Sequence, residues 1–266
     1  MNPVKSVAAH HARPVLTLSA LQRDVIRIVA FVAMVGDHIV TAFQADLPLL
    51  NMVGRCAFPL FALVSGCNLA GKTIRQQSLS RLWLMALLAQ PGYWLAFRDA
   101  GLIWWQLNIL FTFAVVMQMA RFLQNATVLS GIVAFAALVG YLPLSSASYG
   151  IPGLLMLAGA LLVWQIRDTL RAAVFVFWLL PVALLNARHG DVMMLSGVFL
   201  TLAVLFCVRS VVPAYNRFAY RAPADLISKC VVSFKNLLCT SFKYITFISY
   251  KYITYSSPDL WTGSQE

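Results

Sequence analysis

Read for hydropathy alone, the chain is a succession of apolar runs separated by short polar connections. The runs cover residues 25–43, 52–69, 82–97, 102–120, 128–142, 151–166, 172–185 and 192–212. A helix needs about 20 apolar residues to cross the hydrocarbon of a bilayer. Each run therefore predicts a membrane helix, and the shorter ones must tilt or borrow their polar ends. The expected fold is all-α, a polytopic membrane bundle of about eight transmembrane helices. Ser19, followed three positions later by Gln22, is a capping-box signature that starts the first helix just ahead of its apolar run.

Composition supports that reading. Of 266 residues, 61% are hydrophobic and 11% charged, with a mean hydropathy of +0.78. A soluble domain is closer to half apolar and a quarter charged, and this excess is more than a protein core could hide. The net charge of +11 does not point to nucleic acid, because the basic residues form no patch with interleaved aromatics. They fall between the runs instead. Lys5, Arg13 and Arg23 precede the first run, Lys72, Arg75 and Arg81 follow the second, and Arg121 follows the fourth. Arg167 and Arg171 follow the sixth, and Arg209, Arg217 and Arg221 the eighth; the alternate connections hold only Arg98 and Arg188. Cytoplasmic loops are enriched in Lys and Arg, so the N-terminus is expected inside, in a multi-pass membrane protein. No small-residue cleavage site follows the first run, which is expected to stay as an anchor.

Three segments follow: a cytoplasmic stretch over 1–24, the bundle over 25–212, and a basic tail over 213–266. The tail repeats itself in "KYITFISYKYITYSS", and a surface-lying segment is favoured there over a ninth span, whose lysines would have to snorkel. The five cysteines show neither a paired CxxC nor a metal-ligand spacing, so no metal is expected.

The first run, "IRIVAFVAMVGDHIVTAF", carries Arg27, Asp37 and His38. Ionisable groups inside a membrane span are expensive, and they mark functional sites by default. Arg27 and His38 are eleven positions apart, about three helical turns plus 20°, which puts both on one helix face roughly 16 Å apart. The second run brings Arg55 back to the depth of Asp37 and His38, across the short connection "QADLPLLN". Arg55 is thus within reach of either, and Pro59 loosens the helix one turn later. Asp37 lies about 100° round the helix from His38, so it holds Arg55 more readily than it orients the imidazole. Plainer roles stand beside these: an Asp37–Arg55 pair that locks a hairpin, an Arg27–Asp24 pair at i,i+3, and an Asn108 that only packs helices.

In combination, "DVIRIVAFVAMVGDHIVTAF", "GRCAFPLFALVSGCN", "RLWLMALLAQPGYWLAF", "LNILFTFAVV" and "YGIPGLLML" resemble the F-pilin acetylase (TraX) family of conjugative plasmids. The matching positions include Asp37–His38, Gly54–Arg55, Phe58–Pro59, Gln90–Pro91 with Tyr93, and Asn108 with Phe111–Thr112. The spacing of Arg27 and His38 also resembles that of the wider acyltransferase-3 membrane proteins. The likeness runs from residue 24 to 212. Beyond it, where related sequences tend to close on a Tyr-Pro-x-His-Leu type motif, this chain has "FAYRAPADLISK", with Asp225 at the place of the histidine.

The resemblance implies transfer of an acetyl group from acetyl-CoA, as co-substrate, to the N-terminal amine of a pilin subunit in the membrane. On that reading Arg27 clamps the donor's phosphates, His38 takes the proton of the attacking amine, and Asp37 holds Arg55 against the thioester carbonyl. Asn108 is a further donor to the acyl donor. The partners expected are pilin and membrane lipids, with no nucleic acid. Three alternatives stay open: O-acetylation of a sugar or lipid hydroxyl, a transporter, and a non-enzymatic component of a conjugation apparatus.

Overall fold

At Ser19 the capping box forms. Gln22 N donates to Ser19 Oγ at 3.2 Å, and Ser19 N donates to Gln22 Oε1 at 2.9 Å, so two of the helix's free N–H groups are satisfied before the apolar run begins. The structure, a computed structural model, describes residues 17–145, 149–187 and 190–212. The helices are α1 (Ala20–Ala42), α2 (Pro48–Gly54), α3 (Ala57–Leu69), α4 (Gln76–Phe97), α5 (Ile109–Gln124), α6 (Val128–Leu144), α7 (Gly150–Gln165), α8 (Asp168–Ala187) and α9 (Asp191–Val211). The expected all-α bundle is found, and its turns fall where the polar connections predict them. The expectations for the tail over 213–266 lie outside the described residues.

Two expected helices differ. The second run is broken at Arg55 and Cys56, whose N–H groups turn to Met52 and Val53 carbonyls at 3.1 and 3.3 Å. Pro59 has no N–H to give the Arg55 carbonyl, which weakens the regular ladder at this point. The fourth run begins as a helix at Ile109 rather than at 102. Before it, a 3₁₀ turn (Arg98–Ala100) ends on Gly101 at φ +88, a conformation that glycine adopts without strain. Asn108 then caps α5, its Oδ1 accepting from Leu110 N at 3.0 Å.

With α2 and α3 counted as one broken helix, successive helices run in opposite directions, and the bundle has two unlike ends. At one end, where α1 starts, side chains tie helix to helix. Gln22 Nε2 donates to Val212 O at 2.9 Å, Arg23 to Asn68 Oδ1 at 3.1 Å, and Gln124 Nε2 to Lys72 O at 3.1 Å. Arg171 donates to the carbonyls of Val163 and Ile166, taking up oxygens that the end of α7 leaves free. This is the basic end. Opposite it lie the ends of α1 and α4 and the starts of α2 and α5.

Between the ends, α3 packs against α1 on one side and α7 on the other. The centre is dry: Ile26, Ala30, Leu60, Leu63, Val115, Met156 and Leu157 are fully buried. Gly66 lets α3 lie directly on α7, since a Cβ there would stand 2.3 Å from Ala160 O. Small residues serve this purpose in membrane bundles, where close packing takes over much of the work of the hydrophobic effect. The outer faces carry the opposite signature. Leu123, Val128, Phe177 and Phe206 are all more than 70% exposed, a burden that only lipid would relieve. Ala20–Ala42, Pro48–Leu69, Asp168–Ala187 and Asp191–Val211 are each long and apolar enough to cross a bilayer. The chain is a membrane protein.

Candidate functional site

The break between α2 and α3 aims Arg55 at α1. Its Nη2 donates to Asp37 Oδ1 at 2.9 Å, and its Nε donates to Asn51 Oδ1 at 3.0 Å, one turn back on α2. Nη2 also reaches Asn51. Gly54 makes the approach possible, because a Cβ at that position would stand 2.4 Å from Asp37 Cβ and 2.8 Å from its Oδ1. The carboxylate therefore rests on bare backbone. The ion pair is largely buried, with Arg55 12% and Asp37 19% exposed in their side chains.

His38 stands beside this pair. Its Nδ1 is 3.8 Å from the other Asp37 oxygen, close enough to sense the charge but too far for a hydrogen bond. That atom is buried without a hydrogen-bond partner. The ring meets Phe97 edge-on at 5.1 Å, and Phe97 leans on Tyr93 at 5.1 Å, so aromatic contacts rather than polar ones set the imidazole's orientation.

These groups open on one cavity of about 480 Å³, within the usual range for small-molecule sites. Met34, Asp37 and His38 contribute from α1, Arg55 and Phe58 from the broken helix, and Tyr93 and Phe97 from α4. Tyr149 and Asn186 complete it from α7 and α8. The start of α3 lies in its wall through Ala57 and Phe58, adding the positive end of a helix dipole to the Arg55 charge. A fixed cation, an imidazole and a helix start around an apolar space suit a substrate that develops negative charge on oxygen while losing a proton.

Three of the expected site residues, Asp37, His38 and Arg55, thus come together. The other two do not join them. Arg27 pairs with Asp24 at 2.6 Å, is 42% exposed, and is not in the cavity wall. It does share one stripe of α1 with Phe31, Met34 and His38, and of these Met34 and His38 line the cavity. Asn108 is buried with its polar atoms engaged: Nδ2 donates to Ala86 O and Gln90 Oε1, both at 2.9 Å, while Oδ1 caps α5. Gln90 in turn donates to Gln106 O at 2.6 Å. The Gln90 and Asn108 positions thus form a lock between α4 and the approach to α5, at the cavity's edge.

Asn51, Tyr93, Tyr149 and Asn186 were not expected at the site. Asn51 had a signal in the sequence as the i−4 neighbour of Arg55, and Tyr93 and Tyr149 fall in segments that carry the family resemblance. Tyr93, Tyr149 and Asn186 reach the cavity through helix packing. Cys56, next to Arg55, donates its thiol to Val53 O at 3.1 Å.

Comparison with known proteins finds relatives of the chain. A family model described as "TraX protein" matches residues 22–227. Two curated proteins called "Protein TraX", one from Escherichia coli and one from Escherichia coli strain K12, are each 37% identical to the chain over 205 residues. Each alignment covers 76% of this chain and 81% of the relative. No solved structure matches.

Proposed function

The chain belongs to the TraX family, and from that premise we propose that it is a multi-pass inner-membrane acetyltransferase serving conjugation. It moves the acetyl group of acetyl-CoA to the N-terminal amine of a pilin subunit. The observation that carries this reading is the meeting of His38 with the Asp37–Arg55 pair in one largely apolar cavity.

The basic end faces the cytoplasm, as the rule for Lys and Arg requires. The cavity then lies toward the outer surface, where the amine of a membrane-held pilin arrives. An α-amine has a pKa of about 7.7–8.0 and is mostly protonated near neutrality, so it needs a base, and His38 is the group placed for it. As the amine attacks, a C–N bond forms and the carbonyl electron pair moves onto oxygen. Arg55 receives that charge. Collapse breaks the C–S bond, and the thiolate leaves with the proton that His38 collected. Asp37 keeps the guanidinium in place.

Arg27 takes the donor's phosphate end. The distance from Met34, at the cavity floor, back to Arg27 is about 10 Å along α1. Phe31 is buried between them on the same stripe. The donor arm must displace that packing to deliver its thioester.

The test is label transfer from radioactive acetyl-CoA to purified pilin in membranes containing the full chain, together with the mass of pilin made with and without it. Labelled pilin, heavier by one acetyl group, is expected. An unshifted pilin mass rejects the acceptor, and label on a saccharide or lipid would favour the hydroxyl-acetylating alternative.

A further inference from the structure

Tyr149 is the residue of this cavity that packing alone does not explain. It stands at the head of α7 with φ +55 and ψ −13, in the left-handed region. Bulky side chains rarely adopt it, and such strain gathers at functional sites. The surroundings accommodate the strain. Gly153, one turn on, leaves room for the Tyr149 Cβ, which would lie 2.5 Å from a Cβ at 153. The ring is then held on Phe58, centroid to centroid 4.4 Å at 31°, and Phe58 is itself buried.

Packing uses only the ring, which a phenylalanine would supply equally well. The hydroxyl makes no hydrogen bond to any described residue, while the half-buried side chain lines the cavity with Arg55 and Asp37. A phenol that lines a largely apolar cavity with no protein partner has its hydrogen bond free for an occupant.

We infer that Tyr149 donates a hydrogen bond to the carbonyl oxygen of the acyl group, as a second donor beside Arg55. This rests on the acetyl-transfer reading. When the amine adds, the carbonyl electron pair localises on oxygen, and the Tyr149 O–H and the Arg55 guanidinium both point to it. Tyr149 keeps its proton throughout, while the amine proton passes by way of His38 to the departing thiolate. The strained backbone then has a purpose, since it sets the hydroxyl before substrate arrives and leaves no reorganisation for the reaction itself.

The experiment compares wild type and Tyr149→Phe, as full chains in membranes, for acetyl transfer from acetyl-CoA to pilin. The expected result is a kcat lower by about 100-fold, the loss typical of one such donor, with the KM for acetyl-CoA within about threefold and an unchanged thermal midpoint in detergent. Wild-type transfer with an equally active Tyr149→Phe protein would overturn the role of Tyr149 alone. Loss of activity in parallel with a lowered midpoint would make the hydroxyl structural and overturn it as well. No transfer by wild type would remove the acetyl-transfer reading, and this role with it.

Discussion

The Arg55 side chain is where stability and the proposed chemistry meet in this protein. Its pair with Asp37 is mostly withdrawn from solvent, so removing one partner leaves the other charged, desolvated and alone. Asp37→Ala is expected to lower stability by about 3 kcal/mol in a detergent unfolding assay. Adding Arg55→Ala to it should destabilise by clearly less than the sum of the single changes, because the second removes the orphan charge. His38 behaves differently, being held by ring contacts and making no hydrogen bond through Nδ1. His38→Ala should leave the unfolding midpoint within a degree or two, and should reduce acetyl transfer by about 100-fold or more, the usual contribution of a general base. Transfer at the wild-type rate would disqualify the imidazole. Asp37, His38 and Arg55 could be read from the sequence because an ionisable residue in an apolar run stands out. Tyr149 could not, since an aromatic beside a glycine ahead of a helix is ordinary until its backbone angles are known.

At the scale of elements, the broken helix is the device that builds the site. A continuous helix over 48–69 would carry Arg55 round at 100° per residue. With the break at Arg55 and Cys56, just ahead of Pro59, the Arg55 side chain donates to Asp37 of α1. Close approach of α2 to α1 then depends on Gly54. Gly54→Ala is expected to part Asp37 from Arg55 and cost about 1–3 kcal/mol through overpacking, with a reduced rate of transfer. Gly140 is the control. A Cβ there meets nothing within 4 Å, so Gly140→Ala on α6 should be neutral or raise stability by up to about 1 kcal/mol, measured in the same unfolding assay. Helix positions were legible from hydropathy, but the break and the late start of α5 were not. Both arise where apolar side chains continue while the backbone ladder stops, and hydropathy registers side chains only.

For the whole molecule, the distribution of charge and the position of the cavity make one joint statement about direction. Arg23, Arg121 and Arg171 crowd the basic end, while the cavity opens among the connections of the other. With native cysteines replaced, a reporter cysteine at Asp99 should react with a membrane-impermeant maleimide in intact spheroplasts. One at Asn125 should react only after lysis. The reverse pattern would put the cavity on the cytoplasmic side, and the acceptor would then have to be cytoplasmic too.

The order and spacing of apolar runs, with the sign of the charges between them, determined by themselves that this is an all-helical membrane protein, how its helices alternate in direction, and which three ionisable side chains lie at one depth. Those properties are one-dimensional, because a bilayer selects on hydropathy and charge along the chain. Tertiary structure alone decided which of those side chains share a cavity, that Arg27 and Asn108 stand outside it, and that Tyr149 and Asn186 complete it. Side chains from separate helices meet only after small residues such as Gly54, Gly66 and Gly153 have set how closely the helices pack, and that closeness in three dimensions leaves no mark on the hydropathy of the sequence.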